Sequence, residues 1–556
     1  MADRADLVIL NGRILTMDEA EPRAAALAIQ GNRIVALGSN EEIAAWCGPA
    51  TKRIDAAGAT VLPGFNEGHM HLFQGACELE QLNLLGVMGK EALTEAVRTY
   101  AAGKPDLRLI IGQQANYTVL GVDHPVSRQD LDQILPDRPL LLFSPDHHTA
   151  WANSLALEQA GILRGRDVGV GNEIVMGADG LATGELRENR AIDPVASLSD
   201  TGGRERLGVL TGGDPEPPPT AAERAGDLER MRRGLAYCAT LGITSIQNMD
   251  GNLYQLELLA ELERRGQLTQ RVRIPFHMKN FMPLTALQEA VARKERFAGP
   301  KLKADFVKVF MDGVLDSWTA VMVDDYADRP GWRGEPLFSA DHFNALAIEA
   351  DRLGLQIAVH AIGDGAVRMV LDGYEAARAA NGPNDHRHRI EHIELLHQED
   401  APRFAELGVV ASMQPVHPPG SAGLPLEPTV SRIGRARWGD AYPWKTLQDQ
   451  GVPMVFATDW PVSPLDPLFC LGEALKRQPW APGLPDHRPS LHEALRSYTA
   501  TSAWVSFEES SKGRLRPGYL ADIVVLSGDI EATSPDAIAD LRPVLTICDG
   551  EITHQA

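Results

Sequence analysis

Pro63-Gly64-Phe65-Asn66-Glu67-Gly68-His69-Met70-His71 puts two imidazoles two residues apart, directly after an apolar run. Alternate residues of a strand face the same way, so His69 and His71 can grip one metal ion while Met70 points away. A His-x-His pair on its own also reads as two surface or core histidines. The rest of the chain decides between these readings.

Further apolar runs of strand length precede helical patterns: Gly242 to Gln247, Val272 to Phe276, Phe306 to Phe310, Leu355 to Val359, Arg389 to Glu391, Val409 to Met413 and Pro453 to Ala457. With Val61 to Phe65 they number eight, the count that closes a (β/α)8 TIM-like barrel. Consecutive runs are mostly thirty to sixty residues apart, but the gap between the first two is far longer. An inserted α/β domain is expected there, over 76–232, and it includes the Pro-rich break Asp214-Pro215-Glu216-Pro217-Pro218-Pro219.

The ends of the chain have a different rhythm. Short β-rich runs (Leu7 to Leu10, Arg13 to Met17, Ala25 to Gln30, Arg33 to Leu37) alternate with the turn dipeptides Asn11-Gly12 and Gly31-Asn32, which predict hairpins. The carboxyl end repeats the style in Ile523 to Leu526 and Val544 to Cys548. Each end is too short to fold separately, so 1–61 and 512–556 are expected to form one composite β-sandwich. The barrel then comprises 62–75 and 233–511.

With 556 residues, two or three domains are expected, although an α/β barrel can absorb much of the length. Hydrophobic content of 44% with 23% charged residues is that of a soluble globular protein. A formal charge of -22 repels phosphate backbones and anionic membranes, which argues against nucleic-acid or membrane partners. No stretch reaches the roughly 18 apolar residues of a membrane span, and the charged amino terminus has no signal-peptide pattern. The five cysteines are scattered and never in a C-x-x-C pair, so they read as reduced thiols of a cytoplasmic protein.

In a parallel barrel the active site gathers at the carboxyl ends of the strands. Those ends carry His69 and His71, Lys308, His360, His392 and Asp459. Singly, each has an ordinary reading: a histidine that caps or hydrogen-bonds, a solvated lysine, an aspartate that starts a turn. Together they put imidazoles, one lysine and one carboxylate at one face of the same barrel.

This set resembles the amidohydrolase superfamily, specifically the family 3 branch that includes N-substituted formamide deformylases and exported-enzyme-regulator-like proteins. The resemblance extends through Val307-Lys308-Val309-Phe310-Met311-Asp312-Gly313, His360-Ala361-Ile362-Gly363-Asp364-Gly365-Ala366, Arg389-Ile390-Glu391-His392, Thr458-Asp459-Trp460-Pro461-Val462 and Pro517 to Leu526. In the insertion it includes Asp146-His147-His148-Thr149-Ala150-Trp151-Ala152-Asn153-Ser154 and Thr183-Gly184-Glu185-Leu186-Arg187-Glu188.

The resemblance implies a binuclear site. His69, His71 and Asp459 would bind the more buried ion and His360 and His392 the other. Lys308, carboxylated on its N6 to a carbamate, would bridge both. Zinc suits these ligands, though manganese, iron or cobalt would also fit. A metal-bridged hydroxide would attack a carbonyl, with Asp459 moving the proton to the departing nitrogen. His148, from the insertion, would hold the carbonyl oxygen, or else is structural. The chain departs from the family at Glu67, where relatives carry Asp, and at His147, where they commonly carry Gly.

Trp151, Trp318, Met413 and Trp460, with Phe73 and His417, are candidate substrate-lining residues that would favour an apolar or aromatic group beside the scissile bond; each also reads as packing. Arg187 and Glu188 would bind polar substituents or form an internal ion pair. The expected activity is hydrolysis of a non-peptide C-N bond in a small molecule: an amide, an N-formyl amine or a carbamate-like linkage. The alternatives are a hydrolytic deaminase of a heterocycle, for which no ring pocket is legible, and a catalytically silent binding or regulatory protein on the same fold. Homo-oligomers are compatible with the family, and the sequence carries no readable interface signature.

Overall fold

The computed structural model describes residues 4–145, 147–169 and 172–556. Met1, Ala2 and Asp3, and Asp146 of the inserted motif, lie outside the described residues. The chain divides into two compact units, one of Met1–His71, Leu235–Gly251 and Leu259–Ala556, the other of Leu72–Gly234 and Asn252–Leu258.

The first unit holds an eight-stranded parallel barrel. Its strands in order are Phe65–Met70, Ile243–Asn248, Arg271–His277, Leu302–Phe310, Gln356–Ala361, Arg389–His392, Val410–Met413 and Met454–Phe456, each paired with the next. Nearly all their residues are buried, since both faces of such a strand are covered, which is why they read as apolar runs and not as alternating patterns. The last strand returns to the first just beyond its end. Asp459 N donates to His69 O at 2.8 Å and His71 N to Trp460 O at 2.7 Å. Gly68 permits this approach, because a Cβ there would stand 2.3 Å from Val455 Cγ1.

One expectation is corrected here. The run Val61 to Phe65 is not the first barrel strand. Thr60–Pro63 pairs antiparallel with Ile523–Leu526 and parallel with Arg13–Leu15 in the sandwich, and the barrel begins at Phe65. The sandwich consists of that six-stranded sheet and a four-stranded sheet containing Leu7–Leu10, Ala26–Gln30, Arg33–Gly38 and Lys52–Asp55. Ile9, Ile29 and Ile34 of one sheet pack with Val61, Ile523 and Ile547 of the other in a common core.

Gly31-Asn32 does turn a hairpin, with Gln30 opposite Arg33. Asn11-Gly12 does not: Leu7–Leu10 pairs with Ala26–Gln30, so the chain crosses between sheets there. Asn11, at φ +55°, is tied to Asp55 and Asn40 instead of to a hairpin partner.

The second unit is built on a mixed sheet whose order is Glu173–Met176, Ala182–Arg187, Thr149–Ala152, Leu140–Phe143, Ile110–Gln113 and Leu82–Asn83. Alternation along Leu140–Phe143 divides its apolar residues between two cores: Leu141 and Phe143 pack with Leu157 and Ile192, Leu140 and Leu142 with Leu93 and Leu131. This unit also takes in Asn252–Leu258, which the sequence reading left with the barrel. The reason is local: Asn252 donates to Gly213 O at 3.1 Å, and the Tyr254 hydroxyl to the buried Asp227 at 2.6 Å. All five cysteines are free. No helix among the described residues is long and apolar enough to cross a membrane.

Candidate metal centre

Four histidines meet at the carboxyl ends of the barrel strands. The His69 ring lies 5.7 Å from that of His71 and 4.9 Å from that of His392, and His392 lies 4.5 Å from His360. Each ring has one nitrogen engaged by an oxygen. His69 Nδ1 meets Glu391 Oε2 at 2.7 Å, His71 Nδ1 meets Asp250 Oδ1 at 2.7 Å, His392 Nδ1 meets Gln414 Oε1 at 2.9 Å, and His360 Nε2 meets Gly313 O at 3.1 Å. Those oxygens only accept, so the engaged nitrogen carries a proton, and in the neutral rings the other keeps its lone pair.

Asp459 Oδ1, buried, stands 3.1 Å from His71 Nε2 and 3.4 Å from His69 Nε2. These atoms lie this close only with positive charge among them, whether a proton on His71 or a metal cation. Donor atoms around one tetrahedral zinc stand about 3.3 Å apart, from Zn–N bonds of roughly 2.05 Å. The residues therefore fit a divalent ion. Lys308, fully buried, also has an Nζ without a hydrogen bond.

The electrostatics agree with this fit. Burial pushes His69 down to about 4 and His360 to about 3, and holds His392 well below the ordinary imidazole range, so these rings are neutral. His71 differs: burial would lower it, but Asp250 and Asp459 on its two sides outweigh that and hold it up at about 9. A positive charge is favoured between those carboxylates. Asp459 stays far below the carboxylate range despite its burial, because His69 and His71 face it. Burial brings Lys308 down to about 8 against the pull of Glu391 and Asp459.

Residues absent from the sequence-derived set hold these ligands in place. Arg389, wholly buried, donates to both oxygens of Glu391, to Gly68 O at 2.8 Å and to Ser412 Oγ at 2.8 Å, and also bonds Gln247. It thereby fixes the carboxylate that orients His69. Asp250 and Gln414 do the same for His71 and His392. The sequence signal for Asp250 and Gln414 is their place just past a strand end, whereas Arg389 opens its strand. Glu67 accepts from Thr458 N at 2.8 Å and His69 N at 3.3 Å, so this carboxylate ties the first strand to the last. Two residues of the centre have left-handed backbone, His392 at φ +77° and Asp459 at φ +59°, a conformation that a β-carbon makes costly and that concentrates at functional sites.

His417 joins the centre from the seventh strand's loop. Its ring stacks on His392 at 6.0 Å, and His392, His417 and Asp459 present ligand atoms within 4.8 Å of one another. A separate group, Asp351, His386 and His388, is also close-set but is closed by hydrogen bonds. His388 Nδ1 accepts from Ile357 N while Nε2 donates to Asp351, so neither nitrogen offers a lone pair to an ion.

The candidate substrate residues are placed as follows. Met413 is fully buried, and Trp460 is buried with its ring 5.8 Å from Tyr237. Trp318 is held by Asp328 at its indole nitrogen and by the Arg432 guanidinium 3.8 Å above its ring. In the second unit, Trp151 packs into a core with Leu84 and Leu142, Phe73 lies 6.5 Å from Tyr254, and His148 Nδ1 contacts Glu188 at 2.9 Å. Arg187 pairs with Glu173 and Glu185 and not with Glu188.

A parallel barrel with this ligand set at its strand ends defines a metal-binding hydrolase. The chain belongs to the amidohydrolase family, which it matches over residues 52–554. It is 31% identical to Protein LONG AFTER FAR-RED 3 of Arabidopsis thaliana, over 94% of this chain and 87% of that protein. It is 26% identical to the N-substituted formamide deformylase of Arthrobacter pascens, over 100% and 99%. Among solved structures, an uncharacterised metal-dependent hydrolase of Pyrococcus furiosus superposes with a TM-score of 0.72 at 29% identity, covering 95% of this chain and 99% of that one.

Proposed function

We propose that the protein hydrolyses a non-peptide carbon-nitrogen bond in a small molecule, an amide, an N-formyl amine or a carbamate-like linkage, in the cytoplasm. The observation that carries this reading is the convergence of His69 Nε2, His71 Nε2 and Asp459 Oδ1, with Lys308 buried beside the same carboxylate. The full-length likeness to an N-substituted formamide deformylase supports the bond type. The residues are suited to two zinc ions, with His69, His71 and Asp459 for one, His360 and His392 for the other, and carboxylated Lys308 shared. Such ions, when bound, lower the pKa of water and polarise a carbonyl.

The chain's own groups supply the rest. Asp459, kept ionised by His69 and His71, accepts the proton of the attacking water and returns it to the departing nitrogen. Asp250, Glu391 and Gln414 hold the rings so that their lone pairs point inward.

Metal analysis is expected to find about two divalent ions per chain, and none when His69 and His71 are both Ala. Asp459→Asn should keep most metal and lower kcat by about 100-fold or more. Full activity in that variant would refute the proton-transfer role. A screen of N-formyl amines, N-acyl amines, carbamates and aminated heterocycles should yield an amine together with an acid. Ammonia released from a ring without an acid would refute the bond assignment.

A further inference from the structure

His277 ends the third barrel strand and is the register partner of Lys308 on the fourth. Neighbours in register on parallel strands project to the same side, so both side chains enter the barrel together. Phe310 joins them: its ring stacks on His277 with centroids 5.5 Å apart, and Lys308 Nζ lies 4.8 Å from the same ring. His277 is 1% exposed, and among the described residues neither of its nitrogens nor Lys308 Nζ meets hydrogen-bond geometry, although the Met249 backbone lies near the imidazole. A buried polar group left unpaired costs roughly 1–3 kcal/mol, so two in adjacent register positions point to an acceptor that belongs between them.

The charges specify that acceptor. An imidazole carries at least one N–H to give. An ammonium at Lys308 offers that N–H nothing, whereas an anion there would accept it.

We propose that His277 is the hydrogen-bond donor that holds the carbamate on Lys308, a positioning residue for the carboxylated lysine. The inference rests on the carboxylated-lysine reading above. The covalent step balances with carbon dioxide alone. The neutral Lys308 amine forms an N–C bond to its carbon, one C=O π pair moves onto oxygen, and the surplus amine proton leaves to water. His277 N–H then donates to the carbamate oxygen.

The test is carbamate occupancy, followed by 13C NMR of the zinc-loaded enzyme titrated with 13C-labelled bicarbonate. His277→Phe keeps the stacked ring and removes the donor, and His277→Asn keeps an N–H. Loss of one hydrogen bond to a charged group should raise the bicarbonate needed for half-occupancy by about 10- to 100-fold in the Phe variant. The Asn variant should lie between that and wild type, and high bicarbonate should restore bound zinc in both. If the Phe variant does not fold, as judged by circular dichroism, His277→Leu is read the same way. A folded donor-free variant that titrates like wild type overturns the role of His277. A wild type without any labelled carbamate overturns the carboxylated-lysine reading instead, and the two failures are thus distinct.

Discussion

Asp250→Ala isolates the contribution of a group that touches His71, a proposed metal ligand. Asp250 is fully buried, and its Oδ1 accepts the His71 Nδ1 proton at 2.7 Å. A hydrogen bond to a charged group is worth about 1.5–3 kcal/mol. At 1.36 kcal/mol per decade this corresponds to about 10- to 150-fold in metal affinity, the range found for second-sphere carboxylates. The contact both fixes the ring and raises its basicity, so Asp250→Asn, which keeps an accepting oxygen without the charge, should lose less. The assay is competition for zinc between metal-free protein and a chromophoric chelator at pH 7, with circular dichroism to establish that each variant is folded. A folded Asp250→Ala protein with wild-type zinc affinity would refute the reasoning. It would mean that packing alone orients His71.

Other predictions concern the frame around the centre. Glu508, mostly buried, is held down to about 2 from an ordinary 4.5 by Lys512 and Lys303, which overcome its desolvation. The folded pKa lies below the unfolded one, so its stabilisation is complete above pH 4.5 and is lost as pH falls through about 2. Glu508→Gln should therefore cost about 3 kcal/mol in urea unfolding at pH 7, with the gap to wild type closing on acidification; a gap independent of pH would contradict this. Gly68→Ala should cost about 1–3 kcal/mol through overpacking on Val455, with partial recovery in a Val455→Ala background, both read from denaturation midpoints. Glu67→Ala leaves two buried N–H groups without an acceptor and should lose about 2 kcal/mol. Glu67→Gln, whose amide oxygen can accept from both, should remain close to wild type in the same measurement.

The barrel is legible in the sequence because strands covered on both faces are continuously apolar and their last residues are polar. The same property misleads at Val61-Leu62-Pro63, which is equally apolar because a sandwich strand between two neighbours is equally buried. Hydropathy reports burial and not which sheet does the burying. The direct ligand candidates show through residue type, since imidazoles and a lysine at strand ends are unusual. Asp250, Gln414 and Arg389 do not, because their role depends on which side chain stands across the barrel. His277 was within reach: extending the apolar run Val272 to Phe276 by one residue puts an imidazole at a strand end, as at Lys308. The affiliation of Asn252–Leu258 rests on hydrogen bonds to Asp227 and Gly213, and nothing in its own composition signals them.

The two hydrogen bonds that join Asp459 to His69 and His71 to Trp460 also set the order in which the molecule can be completed. Met70 and Trp460 face each other across a gap of almost four hundred residues. Closing so long a loop is entropically expensive and slow. During synthesis, the amino-terminal histidines emerge long before the aspartate that completes their ion site, so a nascent chain cannot assemble that three-residue ligand set until most of the barrel has been made. Any metal held by the three proposed ligands would thereby be acquired only at the last stage of folding, and a chain stalled short of the eighth strand would display two histidines without the carboxylate.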